Sequence, residues 1–109
     1  MPKKNLHPEA VPSLIQERLR VWGMSIRKQR AFQRIRAVDL CSRMEISEAT
    51  LRRLERGDAG AGIGLYLMAF QILGVLDELA PVPVISLWSP DATQRVRLPS
   101  KKGSDDGYF

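Results

Sequence analysis

One cysteine and one histidine in 109 residues leave little for covalent or metal chemistry. Cys41 has no second thiol in the chain to pair with, and no Cys/His cluster has metal-ligand spacing. His7 stands alone in a proline-containing stretch, and no nucleophile–base pair or carboxylate dyad can be placed in a pocket, so an enzyme is not expected. No apolar run approaches the roughly 20 residues of a membrane span. Met1-Pro2-Lys3-Lys4 carries the charge of a signal-peptide start, but the apolar segment that should follow is missing. With 8 Gly and 7 Pro the chain is no low-complexity segment. The expectation is one small cytoplasmic domain with no cofactor.

What is present is basic charge, unevenly placed. Residues 1–57 hold 13 Lys/Arg against 6 Asp/Glu, whereas residues 58–109 hold 4 against 6. A surface of this kind attracts phosphates by releasing counterions, whatever the base sequence.

The basic part also contains the most informative stretch, Ala37 to Gly57, AVDLCSRMEISEATLRRLERG. The spacing predicts a helix over Ala37–Met44 with Leu40 and Met44 inward and Val38 nearby. Cys41 is the small residue where another helix comes close, and it reads as a buried, inert thiol. Glu45-Ile46 forms a turn, with Ile46 as its apolar plug. Ser47 caps the next helix, accepting from the amide of Ala49 or Thr50. Leu51 and Leu54 face inward, leaving Glu48, Ala49, Thr50, Arg52, Arg53 and Arg56 outside. Gly57 closes the helix in a left-handed cap. Two short helices about a tight turn are a helix-turn-helix signature, and they point to double-stranded DNA.

The flanks complete a helical domain. Residues 1–12 read as an arm whose Lys3 and Lys4 could touch DNA. A first helix from Ser13, as cap, to about Gln33 places Leu14, Ile15, Leu19, Trp22, Ile26 and Arg30 on one face, with a break at Gly23. Its outer face carries Arg18, Arg20, Arg27, Lys28 and Arg34. Gly60, Gly62 and Gly64 let the chain turn and lack the strand and Lys-Ser/Thr of a phosphate loop. A fourth helix over about Leu65–Leu73 turns Leu65, Met68, Ala69, Ile72 and Leu73 inward, and Gly74 ends it. A fifth covers Leu76–Leu79. Residues 13–80 thus form the domain and 81–109 a tail. In that tail Val82, Val84, Ile85, Leu87 and Trp88 are β-prone and Gln94–Leu98 is a weaker strand. A lone strand needs a partner, such as the same segment of a second subunit or another protein. Tyr108-Phe109 is a frayed end or an anchor.

Ile26-Arg27, Arg30, Ala37-Val38-Asp39-Leu40, Ile46-Ser47, Thr50-Leu51, Arg53-Leu54-Glu55-Arg56-Gly57 and Leu73-Gly74 together resemble the XRE family of lambda- and Cro-type repressors. The run RLERGDAGAGIGLYLMAFQILGVLDELA with its short tail is similar to the HipB-like antitoxins, partners of HipA-type kinase toxins. The resemblance implies an all-α fold, a five-helix lambda-repressor-like helix-turn-helix domain whose C-terminal tail adds a β-strand at a dimer interface through Val84, Ile85, Leu87 and Trp88. It implies a homodimer that represses its own operon and binds a HipA-like kinase toxin. The alternative is a stand-alone or phage-derived repressor without a toxin. The chain departs from the family at Arg34 and Glu45, where glycine is common, at Arg36, where a capping Ser or Thr is usual, and at Ala37, where Gln often stands.

In such a domain the third helix lies in the major groove. Glu48, Ala49, Thr50 and Arg53 are then the base readers, Arg53 on guanine O6 and N7, Glu48 on a cytosine amine and Ala49 on a thymine methyl. Arg36, Arg43, Ser47 and Arg56 face phosphates, and Arg52 is solvated or phosphate-bound. Two-fold symmetry predicts a palindromic operator with half-sites one helical turn apart.

Overall fold

A computed structural model describes residues 11–90, and within them the chain is all-helical. Five α-helices follow in order: α1 (Ser13–Phe32), α2 (Ala37–Met44), α3 (Glu48–Arg56), α4 (Ile63–Leu73) and α5 (Leu76–Leu79). Turns of 3-10 helix lie at Ala59–Ala61 and Ile85–Leu87. The N-terminal arm with Lys3, Lys4 and His7, the strand expected at Gln94–Leu98, and Tyr108-Phe109 lie outside the described residues.

α1 starts at Ser13 as the sequence indicates, but its cap residue differs and the helix does not break. Pro12, not Ser13, is the cap residue and supplies no side-chain bond; its carbonyl accepts from the Gln16 amide at 3.0 Å. The helix then runs through Gly23 unbroken. Gly23 is buried because α1 crosses the C-terminal end of α3 there. A Cβ at this position would lie 2.8 Å from Glu55 O and Gly57 N, and closer still to Leu54 O. Gly57 answers from the other side: it takes the left-handed conformation (φ 80°), and a Cβ on it would lie 2.6 Å from Arg20 Cα. The two backbones touch with no side chain between them. The roughly 1 kcal/mol that glycine costs inside a helix is the condition of that approach.

The core comprises Ile26, Leu40, Cys41, Met44, Leu51, Leu54, Tyr66, Ala69, Phe70 and Leu73. Trp22 packs against it edge-on to Phe70, with ring centroids 5.0 Å apart, and tilted against Tyr66 at 5.9 Å. The buried face of α4 therefore includes Ala69 and Leu73 as expected but is shifted from the expected one. Tyr66 and Phe70 fill the centre, Leu65 and Ile72 are half-buried, and Met68 is exposed. Gln71 is the one polar side chain of α4 apart from the Tyr66 hydroxyl, so periodicity could not fix its phase. Leu14 and Ile15 are also corrected: they are 71% and 49% exposed, as α1 there extends past the core. Val38, expected near the inward pair Leu40 and Met44, is exposed as well.

Arg30 and Glu55 join α1 to α3 through two hydrogen bonds of 2.9 and 3.3 Å, while Arg30 Nη1 donates to Ile35 O at 3.2 Å. That bridge holds the α1–α2 loop, where Arg34 adopts φ 59°. At the same end of α1, Gln33 Nε2 donates to Leu73 O at 2.7 Å.

The tail differs from the strand expectation. In the described chain Leu87 N–H donates to Val84 O at 2.9 Å and Trp88 N–H to Ile85 O at 3.3 Å, closing a 3-10 turn. The Trp88 indole N–H donates to Pro83 O at 2.9 Å. Pro81 and Pro83 carry no amide donor, and without a neighbouring strand the remaining amides close locally. Val82, Val84, Ile85, Leu87 and Trp88 are all exposed.

Candidate nucleic-acid interface

The α2–turn–α3 unit is built by local hydrogen bonds. α2 ends at Glu45, which is left-handed (φ 58°, ψ 46°) although it is not glycine. This costs about 1 kcal/mol. The turn offsets it by satisfying the last carbonyls: Glu45 N–H donates to Ser42 O at 3.3 Å and Ile46 N–H to Cys41 O at 3.0 Å. The Cys41 thiol donates to Ser47 O at 3.6 Å. Burial pushes that thiol's pKa up, with the Glu48 charge adding to it, which keeps it protonated and unreactive.

Ser47 opens α3 as the sequence indicates. Its hydroxyl oxygen accepts from Thr50 N–H at 3.1 Å, and its proton goes to Thr50 Oγ1, also at 3.1 Å. Ser47 and Thr50 thus spend their hydroxyls largely on each other. Glu48, at the first turn, complements the positive end of the helix. Leu51 and Leu54 anchor α3 in the core.

On the opposite face Glu48, Ala49, Arg52 and Arg56 are exposed. Their spacing of one, three and four residues sets them on one stripe of the helix. Arg53 lies at the edge of this stripe and is half-buried. Its Nε donates to Asp58 Oδ2 at 3.1 Å. Asp58 is held in turn: Oδ1 accepts from Gly60 N–H at 2.7 Å, and its carbonyl accepts from the Tyr66 hydroxyl at 2.8 Å. The Arg53 hydrogen bond lowers the Asp58 pKa, overcoming the opposing effect of burial. Burial, with the Asp58 charge adding, pushes the Tyr66 phenol up to about 12.

Around α2, Arg43 is exposed and makes no ion pair among the described residues, whereas Arg36 pairs with Asp39 at 3.1 Å. That exposed pair raises the Arg36 pKa through the hydrogen bond and the charge of Asp39. The structure thus gathers Glu48, Ala49, Arg52, Arg53 and Arg56 along α3 and sets Arg36 and Arg43 at the two ends of α2. Val84, Ile85, Leu87 and Trp88 lie in the separate exposed segment after α5.

Sequence reasoning passed over Asp58 as a partner of Arg53. A carboxylate five residues on, just past the helix-ending glycine, was the available signal. Among the described residues no three His, Cys, Asp or Glu side chains gather as a metal site, and no helix is long and apolar enough to cross a membrane. No protein-family model, curated protein or solved structure matches this chain.

Proposed function

We propose that this protein is a sequence-specific DNA-binding repressor of the helix-turn-helix type. The observation that carries the reading is the exposed stripe of α3, which bears Arg52 and Arg56 without a carboxylate partner among the described residues and Arg53 held by Asp58. α3 enters the major groove by its N-terminal end, so Glu48 and Ala49 meet base edges first. Arg53 has its Nε engaged by Asp58, which leaves both Nη amino groups for guanine O6 and N7. Thr50 contributes less than its position suggests, because its hydroxyl already bonds Ser47. Arg36, Arg43, Ser47, Arg52 and Arg56 contact phosphates, which fix register.

One such domain makes few contacts, so the active species is a homodimer on a palindromic operator, joined through Val84, Ile85, Leu87 and Trp88. Five exposed apolar residues between 82 and 88 are the support for an interface there. The further role, as the antitoxin of a HipA-like kinase toxin encoded beside it, rests on the sequence resemblance alone.

A gel-shift titration on the DNA immediately upstream of the gene, against scrambled DNA of equal length at two salt concentrations, tests the reading. Selective binding that survives the higher salt supports it. Equal binding to both DNAs, lost at the higher salt, overturns the sequence-specific part.

A further inference from the structure

A second feature of the basic surface adjoins the α3 stripe on the side of α1. Between α1 and α3 a cleft of about 310 Å³ is lined by Arg27, Arg30, Arg52, Glu55 and Arg56. Four guanidiniums and one carboxylate meet there. The carboxylate is already committed: Glu55 takes two hydrogen bonds from Arg30 and its side chain is only 12% exposed. Arg30 spends its remaining reach on Ile35 O. Arg27, Arg52 and Arg56 have no carboxylate within 4.0 Å among the described residues and are exposed. Three unneutralised guanidiniums around one cavity repel each other unless an anion sits among them.

We propose that this cleft is a phosphate-binding site, with Arg27, Arg52 and Arg56 as its ligands and the Arg30–Glu55 pair as its rigid wall. Planar guanidiniums present paired N–H groups that match two oxygens of a phosphate, which a single ammonium does not. The ligand is a phosphate group, either free or in a DNA backbone. The DNA source rests on the repressor reading above. In that case α1 becomes part of the DNA contact, and a backbone phosphate is held beside the base-reading stripe because Arg52 and Arg56 belong to both.

The test uses the full chain. Arginine side-chain N–H resonances are followed by NMR during titration with inorganic pyrophosphate in the absence of DNA, for wild type, Arg27→Gln and Arg18→Gln. Arg18 lies on the same helix but lines a different, apolar hollow with Leu14, Trp22 and Ile63, so it controls for loss of one charge. Saturable shifts confined to Arg27, Arg52 and Arg56, with affinity falling about tenfold in Arg27→Gln and little in Arg18→Gln, support the site. In parallel, the salt dependence of binding to the upstream DNA is measured. A slope flattened by about one unit in Arg27→Gln alone assigns the phosphate to DNA. Pyrophosphate binding without selective DNA binding supports the site for free phosphate while the repressor reading fails. Selective DNA binding with no saturable shift, and identical effects of the two variants, overturns the site and leaves the repressor reading standing.

Discussion

Arg53 and Asp58 face each other across the end of α3, Nε to Oδ2 at 3.1 Å, with the other Asp58 oxygen on the Gly60 amide at 2.7 Å. The pair is partly exposed and contributes only about 0–1 kcal/mol to stability. Its larger effect is on direction. A long side chain that would otherwise sample many rotamers is fixed at one end.

On the proposed repressor reading, replacing Arg53 by Ala is expected to cost about 1–3 kcal/mol of operator binding and to relax preference at one base position. Asp58→Asn keeps the size of the side chain and weakens its hold. It is expected to relax the same position by less. Binding-site selection from a randomised half-site checks both variants. Equal loss on all sequences would remove Arg53 from the base readers.

The lowered Asp58 pKa makes this contact sensitive to acid. Because the folded value lies below the unfolded one, its contribution is complete above the ordinary carboxylate value of about 3.9 and is lost as pH falls through the folded value. Denaturant melts of wild type and Asp58→Asn are expected to differ at neutral pH and to approach each other progressively as pH falls below about 4.

Tyr66 responds at the other extreme. With the phenol at about 12 in the fold and 10.0 as its ordinary value, its contribution is full below 10 and is lost as pH rises towards 12. Tyr66→Phe leaves the Asp58 carbonyl without its donor and is expected to cost about 1 kcal/mol at neutral pH. The alkaline decline in stability should be smaller in Tyr66→Phe, as read from thermal melts at pH 9 and pH 11.

Gly23→Ala is expected to destabilise the protein although alanine is the better helix former. The added methyl meets carbonyl oxygens of α3 rather than a movable side chain, and overpacking of this kind costs about 1–3 kcal/mol. An unchanged or raised melting temperature would show that α1 and α3 can separate freely.

Arg36 and Arg43 are expected to differ in their effect on DNA binding. Arg43→Ala should flatten the salt slope by about one unit, because its charge has no carboxylate partner among the described residues. Arg36→Ala should flatten it by less, because Asp39 already accompanies that guanidinium. Binding isotherms over a salt series separate the two.

How much of this was legible in the sequence depended on how strongly each segment is punctuated. α2, α3 and α5 fall where the spacing placed them, since Ser47, Gly57, Gly74 and Pro81 bracket short apolar patterns. The left-handed turns at Arg34 and Glu45 also lie where a glycine was missed. In α4 Ala69 and Leu73 face the core as the spacing placed them, but Met68 does not, and Tyr66 and Phe70 at the centre carried no signal, because a helix apolar nearly all round carries no phase. At Gly23 a local rule gave a break, and a tertiary contact with Leu54 and Glu55 overrode it. The Arg53–Asp58 pair was hidden for a related reason: it joins a helix to the turn after it, beyond the reach of helical spacing.

The exposed stripe of α3 has one more consequence. Glu48, Ala49, Arg52 and Arg56 belong neither to the core nor to the Gly23–Gly57 crossing. Substitutions there change what the surface meets while the scaffold beneath stays in place. The molecule is in this sense a holder with an exchangeable face.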